Sequence, residues 1–433
     1  MTTRLTFSRF VATTVLVLAL PHVGNAQSAG ANKLGFSIDR LARIDRFMQQ
    51  YVDSNRIGGA VGLVLRDGKV VYQKSVGWSD KESSRRMTPD AIFRIASQSK
   101  AFTSAAILML VEEGKIALTD PVSRFIPAYA HTTVALRADS GRTPVPARRQ
   151  ITIKDLLTHT AGISYGTDNY IAQQYAAKQL GPAAGWGWYT ADKEEPICTS
   201  MERLASLPFV SQPGEAFVYG YNIDILGCVV ERASGIPLDE FFRTRITTPL
   251  GLNDTYFFLP TAKRNRLVAV YADSADRLVR APDGPRGQGN YVDGPRRNFA
   301  GGAGLVSTAQ DYARFLQMIL NRGEFNGVRY LSPKMVDLMT SNQISVYGTP
   351  GKGFGLGFET VEKLGADGLA SVGTFGWGGA YGSIYKVDPK EGLVIVFMIN
   401  QLPLRTDIAG KFPTLVYQAL VEPRMGTVVG RGG

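Results

Sequence analysis

Apolar residues recur at helical spacing near the start of the chain. Ile38, Leu41, Ile44, Phe47, Met48 and Tyr51 fall three to four residues apart behind Ser37, which predicts an amphipathic helix to about Asn55 with Ser37 at its N-terminus. Two β-rich runs follow, Gly59 to Leu65 and Val70 to Gly77, and Arg66-Asp67-Gly68-Lys69 between them is a hairpin signal. After the short run Ile92, Phe93 and Ile95, apolar side chains at Ala101, Phe102, Ala105, Ala106, Ile107, Met109, Leu110 and Val111 predict a buried helix that starts at Ser97 and stops at Gly114. At the far end, Phe354 to Thr360, Tyr381 to Val387 and Leu393 to Ile399 read as strands, Asp388-Pro389-Lys390-Glu391-Gly392 as a turn, and Ile408 to Leu420 as a closing helix. From about Ile151 to Met339, helical patterns alternate with long Gly/Pro loops. The fold class is therefore α/β. An antiparallel sheet built from both ends of the chain (about 37–120 and 350–422) is flanked by the N- and C-terminal helices, and a mostly helical region (about 121–349) is inserted between the two parts.

Residues 1–26 stand outside this pattern. Arg4 and Arg9 precede an apolar run from Phe10 to Leu20, and Gly24-Asn25-Ala26 offers small residues for cleavage before Gln27, as in an export leader. The run is too short to span a bilayer, and no cysteine follows to take a lipid. The expectation is an exported protein, periplasmic or secreted, with no integral membrane segment and one catalytic domain over 27–433. With 44% hydrophobic residues that domain can bury a large core. The formal charge is +11, but basic residues are scattered among acidic ones, and the densest group, Arg277 to Arg297, is a Gly/Pro/Asp-rich loop. Such a pattern does not suit a nucleic-acid partner. Cys228 falls in the apolar helical run Ile223 to Val230, so a buried thiol is the simpler reading, although export permits one bridge to Cys198. His131 and His159 lack matching cysteine or carboxylate spacing, so neither a metal site nor a cofactor is expected.

The candidate chemistry centres on Ser97. On the predicted helix Lys100 lies one turn beyond Ser97 on the same face, so its amine can reach the hydroxyl and take its proton. The free N–H groups at the helix start can hold a developing oxyanion. Ser-x-x-Lys is a weak pattern, and a second copy occurs at Ser383 to Lys386. That copy reads as strand, where residues three apart point to opposite faces, so context selects Ser97. Tyr219, at the junction of a loop and the helix leading to Val230, can present a phenol to a cleft and carry a proton. Taken alone, Tyr219 and Tyr221 also fit as packing aromatics. Gly373-Thr374-Phe375-Gly376-Trp377-Gly378-Gly379-Ala380 is dense in glycine ahead of a strand, which marks a close backbone approach, and the Ala380 N–H is placed to complete an oxyanion hole. Gly162-Ile163-Ser164-Tyr165-Gly166 matches a nucleophile elbow, but a helical pattern precedes Ser164 and no histidine follows it. His159 takes a structural role, its ring hydrogen-bonded near the site.

Ser97-x-x-Lys100, then Tyr219, then Trp377-Gly378-Gly379, in that order, resemble the three motifs of the serine β-lactamase and penicillin-binding protein superfamily, most closely its family VIII carboxylesterases. Leu156 to Gly162, Gly301 to Thr308 and Asp388 to Gly392 resemble it too, and the likeness spans about Ile38 to Val421. It implies a β-lactamase/transpeptidase-like fold and a serine hydrolase that cleaves small-molecule esters through an acylated Ser97. Ser97, Lys100 and Tyr219 would be catalytic, and Ala380, Gly379, Gly378, Trp377 and Tyr221 would bind oxyanion and substrate. Trp186 and Trp188 are further candidates for an apolar pocket. Two departures separate the chain from β-lactamases. Trp377 stands where their Lys-Thr-Gly motif places a cation, and Tyr221 stands where their Tyr-x-Asn motif places an asparagine, with Asn222 one position late. Both remove polar grips and favour an ester over a charged lactam or peptide terminus. A β-lactamase, a D-amino-acid peptidase and an acylated sensor that stalls after one turnover are the alternatives.

Overall fold

The structure, a computed structural model, describes residues 34–138, 141–184, 189–274 and 277–424. The leader-like stretch 1–26 therefore lies outside the described residues, as do Trp186 and Trp188. Helix α1 (Ile38–Asp53) is capped by Ser37, whose hydroxyl accepts the Arg40 N–H, and leads into β1 (Gly59–Arg66), β2 (Lys69–Asp80) and the short β3 (Arg85–Arg86). The turn between β1 and β2 puts Asp67 at φ 51° and Gly68 at φ 75°, two successive left-handed residues whose twist suits a tight hairpin. Near the other end come β4 (Lys352–Phe354), β5 (Glu359–Val361), β6 (Phe375–Gly378), β7 (Ile384–Asp388) and β8 (Leu393–Met398). All eight strands pair antiparallel in the order β4-β5-β6-β7-β8-β1-β2-β3, so the two ends of the chain meet where β8 pairs with β1.

That central pair is buried on both faces, which explains why β1 and β8 read as near-continuous apolar runs. Ala60, Val64, Ile395 and Phe397 face one side, where α1 and the C-terminal helix α5 (Ile408–Ala419) cover them with Leu41, Ile44, Met48, Phe412 and Val416. Val61, Leu63, Val394 and Val396 face the other side. There α4 (Ala309–Leu320) lies on them, and α2 (Ser99–Glu112), which is buried from Ser99 through Leu110, packs with α3 (Asn222–Ser234) of the middle region in the same core. The Phe102 ring of α2 stacks on Phe315 of α4 at 4.0 Å between centroids. Among the described residues no helix is long and apolar enough to cross a membrane.

The α/β class and the inserted helical region are as the pattern predicts, with three differences. The run Phe354 to Thr360 is not one strand. It is the turn and flanks of the β4–β5 hairpin, where Gly355 and Gly357 interrupt the ladder and the Gly355 N–H donates to Phe358 O at 2.7 Å. The middle region also carries short hairpins, such as Thr133–Ala138 with Gly141–Pro146, that helical periodicity does not reveal. Finally, Cys198 and Cys228 are joined in a disulfide across a sequence separation of 30, correcting the expectation of a free thiol. The helix Ile197–Leu204 packs on α3 and brings the two Cα atoms to 4.9 Å, so the burial of Cys228 is shared with a second cysteine.

Candidate active site

The segment ahead of Ser97 is clamped before the helix begins. Phe93–Arg94 pairs with Val306–Ser307, and Asn400 grips both sides of Arg94. The Asn400 Oδ1 accepts the Arg94 N–H at 3.0 Å, and its Nδ2 donates to Arg94 O at 3.0 Å. Ala96 then takes a left-handed φ of 43°, a costly choice for a non-glycine residue that persists where surrounding contacts over-determine it. Those contacts include the Tyr312 hydroxyl donating to Gln98 O at 3.0 Å and the Leu305 N–H donating to Ser99 Oγ at 3.0 Å. Ser97 lies in a single tight turn, Ala96–Gln98, that runs into α2, and it is 8% exposed.

One turn on, Lys100 points back at it. Its Nζ lies 3.2 Å from Ser97 Oγ, 3.0 Å from the Tyr165 hydroxyl oxygen and 2.7 Å from Gly302 O, so one amine bridges the serine, a phenol and a backbone carbonyl. The Gly302 N–H in turn donates to Asp224 Oδ1 at 3.0 Å, so a single glycine separates the Lys100 amine from a fully buried carboxyl group. A Cβ at position 302 would sit 2.3 Å from Asp224 Oδ2, so no larger residue fits there with the carboxylate in place. Burial raises the Asp224 carboxyl to about 6, against the pull of Lys100 and the Gly302 N–H. Burial likewise holds the Tyr165 phenol well above its usual range, reinforced by Tyr219 and Asp224, so it stays protonated. Neither Tyr165 nor Asp224 was singled out from the sequence. Tyr165 hides inside the elbow-like stretch that draws attention to Ser164, whose hydroxyl only accepts the Gly166 N–H. For Asp224, the available signal was a lone carboxylate in the apolar run Ile223 to Val230.

Tyr219 is brought to the same place in a different posture from the expected one. Its ring lies 4.8 Å from Lys100 Nζ, centroid to nitrogen, while its hydroxyl accepts the Trp377 Nε1 hydrogen at 3.1 Å rather than bonding Lys100. The amine thus meets the face of Tyr219 and the hydroxyl of Tyr165. His159 packs against the Tyr219 ring at 4.7 Å, and its Nδ1 lies 3.0 Å from Asn222 Nδ2. Burial and Lys100 push the His159 imidazole well below its usual range, so it is a neutral support, matching its expected structural role. Tyr221 is corrected from pocket aromatic to core residue. It is 0% exposed, packs edge-on to Tyr165 at 4.8 Å, and its hydroxyl accepts the Gly181 N–H at 3.0 Å.

On the sheet side, β6 ends beside the nucleophile. A Cβ at Gly379 would stand 2.5 Å from Ile95 O, so only glycine lets this strand end lie against the segment that carries Ser97. The Gly379 N–H is taken by Ser383 O at 2.7 Å, and Ala380 follows on the cavity wall. Ser97, Tyr219, Trp377, Gly378 and Ala380 all line one cavity of about 500 Å³. A buried serine in contact with an amine, beside a phenol and a glycine-lined strand end, and opening on a ligand-sized cavity, is an arrangement for nucleophilic attack on a carbonyl.

Comparison with known proteins agrees with this geometry. The chain is 35% identical to Protein Rv1367c of Mycobacterium tuberculosis over 402 residues, covering 87% of this chain and 95% of that protein. It is 33% identical to Esterase EstB of Burkholderia gladioli over 393 residues, covering 86% and 94% respectively. Among solved structures, EstCE1, described as a hydrolase with promiscuous acyltransferase activity, superposes with a TM-score of 0.74 at 28% identity, covering 91% of this chain and 100% of that one. Residues 44–415 match the Beta-lactamase family, so the likeness carried by three short motifs extends through sheet, helices and site alike: the chain belongs to that family and is a serine hydrolase.

Proposed function

We propose that the protein hydrolyses carboxylic esters through an acyl-enzyme on Ser97. The observation that carries this reading is the 3.2 Å contact between Lys100 Nζ and Ser97 Oγ at the wall of the cavity. Acting as the neutral amine, with one N–H on Gly302 O, Lys100 turns its lone pair to Ser97 and takes the serine proton as Oγ attacks the carbonyl, and the Ser97 and Ala380 N–H groups hold the oxyanion. The Tyr165 phenol, too buried to ionise, stays a hydrogen-bonding partner of the amine and not a second base. The proton held by Lys100 then passes to the departing alkoxide, and Tyr219, oriented by Trp377, steadies that oxygen with a hydrogen bond from its hydroxyl on the cavity side. Water then enters along the same path and releases the acid.

Trp377 in place of a cation favours uncharged esters over lactams and peptide termini, and the esterase named among the relatives points the same way. The Cys198–Cys228 bridge supports work in an oxidising compartment outside the cytoplasm, in keeping with the leader-like pattern of residues 1–26. The test is hydrolysis of a nitrophenyl ester by wild type and Ser97→Ala, beside nitrocefin and a D-Ala-D-Ala peptide. The reading expects the ester to be the fastest substrate and its turnover to vanish in the variant; unchanged ester turnover in Ser97→Ala rejects it.

A further inference from the structure

Between β5 and β6 the chain forms a loop, residues 362–374, that holds large apolar side chains in solvent. Leu364 is 74% exposed, Leu369 55% and Val372 53%. Among the described residues, the other large exposed apolar side chains, such as Val70, Val279 and Val328, occur singly along the chain. The loop is firmly held. Asp367 pairs with Lys386 and, at 3.3 Å, with Lys352, which also pairs with Glu359 at 2.7 Å. The Glu362 and Lys363 N–H groups donate to Gly351 O at 2.9 and 3.1 Å, the Ser371 N–H donates to Asp388 Oδ2 at 3.2 Å, and Ala370 is buried. Leu364, Leu369 and Val372 are thus displayed on one anchored loop, and three exposed apolar side chains held on so short a segment mark a contact site.

Its position says with what. Asp367 and Thr374 of this loop line the same cavity as Ser97, so the apolar tips stand two to three residues from the wall of the catalytic chamber. Beyond them that chamber is lined by Gly376, Gly378, Ala409, Gly410 and Pro413, whose small or apolar surfaces suit a hydrocarbon chain, while Lys352, Glu359 and Lys386 on the same wall are held in ion pairs with one another and with Asp367. On the loop itself exposed Lys363 is balanced by exposed Glu362, so attraction to an anionic surface comes from the chain as a whole, whose formal charge of +11 includes Arg4 and Arg9 of the leader-like stretch.

We propose that Leu364, Leu369 and Val372 dock the protein on aggregates of amphiphilic esters, a bilayer or micelle surface, from which an ester chain passes over the loop into the Ser97 cavity. The proposal rests on the ester reading above and adds where the ester comes from. The experiment compares wild type with Leu364→Ser/Leu369→Ser/Val372→Ser, whose changes are all at exposed positions. Each is given dissolved nitrophenyl acetate, nitrophenyl laurate carried in phosphatidylglycerol-phosphatidylcholine vesicles, and the same vesicles alone in a cosedimentation assay. The variant is expected to keep the acetate rate and to lose about tenfold in both laurate rate and vesicle binding, as removal of three inserting apolar side chains implies. Equal vesicle binding by the two proteins overturns the proposal, as does an equal loss on acetate and laurate. So does a wild-type dimer in sedimentation equilibrium that becomes monomeric in the variant with vesicle binding unchanged, which would assign the patch to a second copy. Should wild type cleave neither ester, the ester reading fails, while cosedimentation still reports on docking.

Discussion

Two stretches of this chain carry the same four-residue pattern, and the fold makes opposite things of them. Ser97 and Lys100 lie on a turn that runs into α2, where residues three apart share a face, and their side chains meet at 3.2 Å. In Ser383-Ile384-Tyr385-Lys386 the last three residues are strand β7, and the pair separates. The Ser383 hydroxyl donates to Ile399 O at 2.8 Å and accepts the Ile399 N–H at 3.0 Å, tying down the strand end, while Lys386 turns to Asp367. Even the environments of the two amines differ. Lys386 is pulled down to about 8 by burial and by the Lys352 ammonium and faces carboxylates, whereas Lys100 faces a serine, a phenol and a carbonyl. Spacing becomes chemistry only when secondary structure puts both groups on one face and the neighbouring polar groups leave the hydroxyl free.

The sharpest way to break this contrast is to remove one member of each pair. Lys100→Met should lower kcat/KM for a nitrophenyl ester by about a thousandfold, since the proton acceptor is gone. Ser383→Ala should leave kcat/KM within about twofold and instead cost about 1–3 kcal/mol of stability, read by denaturant unfolding, because the Ile399 amide and carbonyl lose their partner. Comparable activity losses in the two variants would erase the distinction.

Next in size is the close approach that aligns strand and nucleophile. Gly379→Ala adds a Cβ 2.5 Å from Ile95 O and must push the end of β6 off the Ser97 segment. Steady-state kinetics should show a loss of about a hundredfold, mostly in kcat, because misplacement of the oxyanion donors is felt in the transition state.

The two phenols sharpen the picture of the amine. Tyr219→Phe removes the hydroxyl on the cavity side and should cost about a hundredfold in kcat, while Tyr165→Phe removes one of three partners of Lys100 and should cost about tenfold. The reverse order would mean that the proton leaves through Tyr165.

Asp224 gives the smallest effect and a pH signature. The folded protein holds its carboxyl at about 6, above the ordinary value near 4, so the folded state binds the proton more tightly than the unfolded state does. Stability contributed by this group is therefore present at low pH and falls as pH rises from about 4 to about 6. Asp224→Asn should be matched with wild type at pH 4 and gain on it by pH 7 in thermal melts. Its kcat/KM should fall only several-fold and lose the acid limb near pH 6.

How much of this was legible beforehand follows from which interactions are local. The stripe Leu41, Ile44, Met48, the Asp67-Gly68 turn and the buried run of α2 are written in short-range periodicity, and the structure has them at the predicted places. The Ser97–Lys100 pair is local too, one helical turn long. Gly379 was readable as a close approach, although what it approaches, Ile95 O, was not. Contacts that cross the chain left weaker traces. Tyr165 reaches Lys100 from a loop 65 residues away, and the glycines around it point to the wrong serine. Tyr221 looked like a pocket aromatic beside Tyr219 because adjacency says nothing about which of two phenols the helix start buries. The Cys198–Cys228 bridge depends on two helices packing together, and the composition of Cys228's own helix predicted burial without naming its partner.

The most direct measurement is the mass of the protein quenched during turnover of a slowly deacylated ester, followed by peptide mapping. The account predicts one acyl group per chain, on the peptide that contains Ser97 and absent from the one that contains Ser383. Steady ester hydrolysis with the acyl group on another residue, or with no covalent adduct at any quench time, would contradict it.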